Sequence, residues 1–186
     1  MKFNKIPFWI LGFVVLVLYI AHLINQVLNN EAGNTLWMCN ISNAILAIAL
    51  LLRVNSLVRV SVPWIVLGIP IWIFDIYFTG NTSITSILSH LIGAGIGMYC
   101  LYFIGIKKNT WIFCVIYYLI IQQISKLLTE PSLNVNISHS IYKGFDVLFS
   151  AYWQYWLFTT FLISILLWLL ELIFKLLIPS HELTKD

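Results

Sequence analysis

Residues 7–28 read PFWILGFVVLVLYIAHLINQVL, a run without a single charged side chain. At 1.5 Å per residue such a run makes a helix of about 33 Å, long enough for the roughly 30 Å hydrocarbon core of a bilayer. Lys2 and Lys5 precede it, as basic residues precede the apolar stretch of a secretory signal. The run is too long for that, and His22, Asn25 and Gln26 stand where a small-residue cleavage site belongs, so it reads as a retained membrane helix.

Working outward, apolar runs recur at about 36–52, 60–78, 84–106, 111–125 and 150–178, with a long polar connection over 126–149. The whole chain shares the bias. Of its 186 residues 61% are hydrophobic and 9% charged, and the mean hydropathy is +0.93. A soluble domain carries about a quarter charged residues, and a disordered chain is poor in apolar ones, so both classes are excluded. The spacing predicts an all-α, polytopic membrane bundle of about six helices forming one domain over 1–186. A net charge of +3, scattered along the chain, argues against a nucleic-acid partner and leaves membrane lipids as the expected one. Cys39, Cys100 and Cys114 lie in apolar runs and read as buried thiols.

Orientation follows from the basic residues. Lys2, Lys5, Arg53, Arg59, Lys107, Lys108, Lys175 and Lys185 fall on one side of a six-span chain, whereas Lys126 and Lys143 fall on the other. By the positive-inside rule both termini are expected in the cytoplasm, in keeping with a bacterial inner-membrane protein. Glu171 and Lys175 are spaced as a helical i,i+4 ion pair.

The polar residues inside the spans gather toward the opposite, outer side. His22, Asn25, Gln26 and Asn29 recur at helical spacing near the end of the first span, and Cys39, Asn40, Ser42 and Asn43 open the second. Asp75 lies about one turn from the end of the third span; Ser86, His90, Gly93, Ala94 and Gly97 share one face of the fourth. The long loop adds Asn134, Asn136 and His139. Ionisable groups at membrane depth are costly and face an interior or a wet cavity, so a polar cavity open to the outer side is expected. His22, Asn25, Asn40, Asn43, Ser86, Asn134, Asn136 and His139 would line it. Asn25, Gln26, Gln122 and Gln123 each also read as interhelical hydrogen-bonding groups, and the glycines as close-packing positions.

Three chemistries fit this set. Cys39 could act as nucleophile with His90 as its base and Asp75 or Asn43 orienting the imidazole, for hydrolysis or transfer of a lipid acyl group. His22, Asp75, His90 and His139 could instead hold a hydrolytic zinc, although no close-spaced histidine motif supports it. Or the cavity could bind or conduct a small solute or proton without covalent chemistry. A purely structural cluster is the fourth reading.

The segment from Leu36 through Cys39, Asn43 and Arg53, followed by Gly68-Ile-Pro70 read as a turn, Trp72, Asp75 and Ser86-Ile-Leu-Ser-His90, resembles the YwaF-type integral membrane proteins. That resemblance covers about residues 36–95. It implies Cys39 as an acyl-accepting nucleophile and His90 as its base, by analogy with relatives associated with phospholipid acyl transfer. Where family members often carry His-x-Cys, this chain has Trp37-Met38-Cys39. Ser86-x-x-x-His90 is similar to one motif of the alkaline ceramidase superfamily, whose companion HxxxH is missing here.

Overall fold

The computed structural model describes residues 7–80 and 82–178. The regular elements among them are α1 (Phe8–Leu28), α2 (Met38–Leu52), α3 (Asn55–Thr79), α4 (Ile84–Ile104), α5 (Thr110–Leu128) and α6 (Tyr152–Leu177), with single 3-10 turns at Ala32–Leu36, Pro131–Leu133 and Val135–Ile137. The protein is therefore an all-helical bundle over the described residues, and α1, α3, α4, α5 and α6 are long and apolar enough to cross a membrane. Lys2, Lys5 and Lys185 lie outside the described residues.

Contacts between helices show that consecutive helices run in alternating directions. Gly12 near the start of α1 meets Leu50 near the end of α2, and Cys39 at the start of α2 meets Gly68 in the second half of α3. Arg59 at the start of α3 reaches the last carbonyls of α4, while Gln122 late in α5 meets Trp156 early in α6. The end holding the start of α2 and the 129–151 connection is termed the upper end here, and the end holding Arg59 the lower end.

Helix α2 is the surprise of the architecture. Its 15 residues make about 22 Å of helix, short of the roughly 30 Å hydrocarbon core. It is also the most enclosed helix: Leu46, Ala47 and Ala49 are wholly buried between α1, α3 and α4. Lipid offers no hydrophobic drive for helices to associate, so close backbone approach at small residues carries the packing. A Cβ on Gly12 would stand 2.9 Å from that of Leu50, one on Gly68 2.6 Å from that of Cys39, and one on Gly97 3.0 Å from a Val62 methyl. One apolar cluster joins α1 to α4 around α2, and a second, with Trp64, Cys114, Tyr118 and Leu167, joins α3 to α5 and α6.

Several boundaries differ from the sequence expectation. α3 starts at Asn55, not near residue 60, because Arg53 takes a left-handed conformation (φ 59°) and closes the α2–α3 hairpin in two residues. Arg59, expected in a loop, is thereby drawn into the helix and buried. The Gly68-Ile69-Pro70 turn is absent: α3 runs through Pro63 and Pro70, as membrane helices do when neighbours satisfy the freed carbonyls. α5 continues past Ser125 to Leu128, so Lys126 lies in its last turn.

The lower end is held by charged side chains on helix termini. Arg59 donates from Nε to Gly105 O (2.8 Å) and from a terminal nitrogen to Ile104 O (3.0 Å), which satisfies carbonyls at the C-terminus of α4. Glu171 accepts from Asn109 N (3.1 Å) and Trp111 N (2.9 Å) at the N-terminus of α5, and also pairs with Lys175, the expected i,i+4 partner.

Candidate functional site

Two polar networks occupy the upper end, and they differ in one decisive respect. The first joins α5, α6, the 129–151 connection and the start of α2. Asn136, 4% exposed, accepts from Met38 N (2.9 Å) and donates to Leu36 O (2.7 Å) and Ser125 Oγ (2.9 Å). Its acceptor supplies one of the orphan N–H groups that open α2. Gln122 donates to Tyr118 OH and to the carbonyl of Asn136, and accepts from Trp156 Nε1 at 2.7 Å. Asn134 turns back on its own segment, accepting from His139 N and Ser140 N, while His139 Nε2 meets Thr129 Oγ1 at 3.3 Å. Asn136 and His139 thus pin the connection onto α2 and α5, while Asn134 braces the connection itself.

The second network joins α1, α2 and α4. Gln26 Nε2 lies 3.5 Å from His22 Nε2, His22 Nδ1 lies 3.2 Å from Thr85 Oγ1, and Thr85 Oγ1 lies 3.0 Å from Ser83 Oγ. Read as a chain of donors, the amide gives to His22 Nε2, the Nδ1 proton goes to Thr85, and the threonine hydroxyl gives to Ser83. Ser83 Oγ also accepts from Ser86 N and so caps α4. In that reading His22 is the neutral tautomer protonated on Nδ1.

His90 is placed with equal definition. Its Nδ1 lies 2.8 Å from the Ser86 carbonyl, a contact only an N–H can make, and its ring stacks on Trp72 with centroids 4.7 Å apart and planes 8° from parallel. The neutral ring therefore presents a bare lone pair on Nε2. The residue is 2% exposed, and Nε2 has no hydrogen-bond partner among the described residues. Asn43 repeats the pattern: Nδ2 donates to Cys39 O (3.0 Å), which fixes the amide's orientation, and Oδ1 is buried without a partner against Gly93. Oε1 of Gln26 is buried and unpartnered as well.

Cys39 is half-buried with its sulfur 3.9 Å from Asn40 Oδ1, and Asn40 in turn donates to Asn34 O. The thiol is not hydrogen-bonded to His90, whose two ring nitrogens are accounted for above. Asp75 is exposed on α3. Asn25 is half-buried, its carbonyl taken by Asn29 Nδ2. Among the described residues no group of three or more His, Cys, Asp and Glu stands close enough to hold a metal ion. The set His22, Asp75, His90 and His139 is thus split between the α1/α4 contact, the exposed side of α3 and the connection above α5.

Sequence reasoning placed His22, Asn43, Ser86 and His90 in one region, and the structure joins α1, α2 and α4 there. It missed Thr85 as the link between His22 and the α4 cap, and Trp72 as the platform for His90. Gly93 was read as a packing position, and it is one: the room it leaves is filled by the Asn43 carboxamide.

The buried unpartnered atoms of the second network, Gln26 Oε1, Asn43 Oδ1 and His90 Nε2, are acceptors, whereas that of the first is the Ser138 hydroxyl, which can donate as well as accept. Each costs about 1–3 kcal/mol relative to a satisfied group, so a cluster of them is retained against stability. Ser86, His90 and Gly93 share one face of α4, so His90 and the Asn43 carboxamide packed on Gly93 lie along a single strip of that helix. Comparison with protein-family models, with curated proteins and with solved structures returns no match to this chain.

Proposed function

We propose that this is a multi-pass inner-membrane protein, both termini cytoplasmic, whose strip between α1, α2 and α4 captures a small ligand rich in hydrogen-bond donors without covalent chemistry. The observation that carries this reading is the set of buried acceptors, Gln26 Oε1, Asn43 Oδ1 and His90 Nε2, each lacking a donor among the described residues. An acceptor-only lining is complementary to N–H or O–H groups, and a primary ammonium is the simplest ligand offering nothing else. Orientation rests on the charges: Arg53, Arg59, Lys107, Lys108 and Lys175 share the lower end, and Lys126 and Lys143 the upper. The site would then open away from the cytoplasm.

The competing reading is lipid acyl transfer or hydrolysis with Cys39 as nucleophile, which the resemblance to YwaF-type proteins implies. That mechanism needs the thiol within hydrogen-bond reach of its base. The unpartnered Nε2 favours capture of an external donor instead.

The test uses purified protein in lipid nanodiscs. Methylammonium is expected to raise the melting temperature, tetramethylammonium, which has no N–H, is expected not to, and Asn43→Ala and His90→Phe are expected to abolish the effect. Equal stabilisation by both cations would overturn the reading. So would a mass adduct on Cys39 after incubation with p-nitrophenyl butyrate that disappears in His90→Phe, which would establish the acyl route. A reporter fused after Asp186 and found outside the cytoplasm would overturn the orientation.

A further inference from the structure

The connection between α5 and α6 contains an apolar segment that the upper-end networks do not use. Around Tyr142-Lys-Gly-Phe-Asp-Val-Leu-Phe149, Val147 is 85% exposed and Leu148 74% exposed, and Tyr142 and Phe145 are exposed too. Such exposure in an ordered, non-helical stretch demands an apolar neighbour. The segment is built: Gly144, at φ 95°, donates to Asp146 Oδ1 (3.0 Å), Phe145 N to Tyr142 O, and Leu148 N and Phe149 N both to Phe145 O.

Its height is set by aromatic contacts with α6. Phe149 packs on Tyr155 (centroids 5.4 Å) and Phe158 (5.2 Å), and Phe145 packs on Tyr155 (5.7 Å). The chain enters α6 only at Tyr152. Tyr155 and Phe158 lie about 5 and 9 Å along the helix axis from that start. The rings of Phe145 and Phe149 therefore lie beside the first two turns of α6, below its upper end. They lie beside the face carrying Leu157, Phe158 and Phe161, all exposed.

We propose that residues 142–149 are embedded in the bilayer leaflet at the upper end, with Val147 and Leu148 among the acyl chains and Lys143 toward the headgroups. The depth from the α6 contacts matches the roughly 5–10 Å at which interfacial segments bury their apolar face. Trp153, 60% exposed at the start of α6, stands where aromatic anchors collect at a membrane boundary. The occupant is lipid, since the apolar surface is continuous with the exposed face of a helix long and apolar enough to cross the bilayer. This rests on the reading that α6 spans a membrane.

The experiment places an environment-sensitive NBD label at single cysteines in a background with Cys39, Cys100 and Cys114 changed to Ala. The positions are Val147→Cys, Leu148→Cys, Glu130→Cys as an exposed control on the same connection, and Phe161→Cys as a control on the lipid face. Vesicles of phosphatidylcholine carry nitroxide lipids, and iodide is the aqueous quencher. Labels at 147 and 148 are expected to be quenched by shallow nitroxides and to respond to iodide at least about five-fold less than the label at 130. If both respond to iodide as 130 does, while 161 is quenched by lipid, the proposal fails and the spanning reading survives. If 161 escapes lipid quenching, the spanning reading fails and carries the proposal with it. Shielding of 147 and 148 from both quenchers would overturn it in favour of contact between copies.

Discussion

Replacing Asn136 with alanine removes three hydrogen bonds at one stroke, and the structure lets the loss be worked out. The side chain accepts from Met38 N and donates to Leu36 O and Ser125 Oγ, all within 2.9 Å and all in a buried position. At a net 0.5–1.5 kcal/mol per bond the loss is about 3 kcal/mol. Asn136 also sits at φ 54°, in the left-handed region that asparagine tolerates and alanine does not, which adds about 1 kcal/mol. Asn136→Ala is therefore expected to destabilise by about 4 kcal/mol, and Asn136→Gly, which relieves only the backbone term, by somewhat less. Equilibrium unfolding by SDS titration in mixed micelles, followed by far-UV ellipticity, measures both. An alanine variant within about 1 kcal/mol of the parent would show that the bolt between the connection and α2 contributes little, and a glycine variant less stable than alanine would refute the backbone argument.

Four further outcomes are expected. Gly93→Ala places a methyl group on the Asn43 carboxamide oxygen, so it should cost about 1–3 kcal/mol and remove the methylammonium response in the same nanodisc assay. Glu171→Ala strips the N-terminus of α5 of a charged acceptor and should cost about 3 kcal/mol in the SDS titration, whereas Lys175→Ala, at a partly exposed side chain, should cost less than about 1 kcal/mol. Arg59→Lys replaces a fork on two carbonyls by a point charge and should cost about 1–2 kcal/mol, with a loss below about 0.5 kcal/mol speaking against the cap. Gln123→Leu, on the exposed side of α5, should change stability by less than about 0.5 kcal/mol, in contrast to the buried Gln122, whose replacement by leucine should cost several-fold more.

Hydrophobic periodicity by itself determined the helical class and the six helical segments, because apolar length and 3.6-residue spacing are local properties of the chain. The Glu171–Lys175 pair was legible for the same reason, both partners lying one turn apart. What a polar side chain bonds to across the bundle is not local, and only the tertiary structure decided it. Gln122 and Gln26 read alike as amides near the end of a span, yet one is saturated by Tyr118, the 136–137 carbonyls and Trp156, while the other keeps a buried oxygen without a partner. Asn136 and Asn43 part in the same way, the first bolting the connection to α2 and the second facing the strip beside His90. The short central helix was hidden as well: residues 36–52 are as apolar as a span, and only the tertiary structure shows a 15-residue helix enclosed by α1, α3 and α4, shorter than the about 20 residues a lipid-facing span needs.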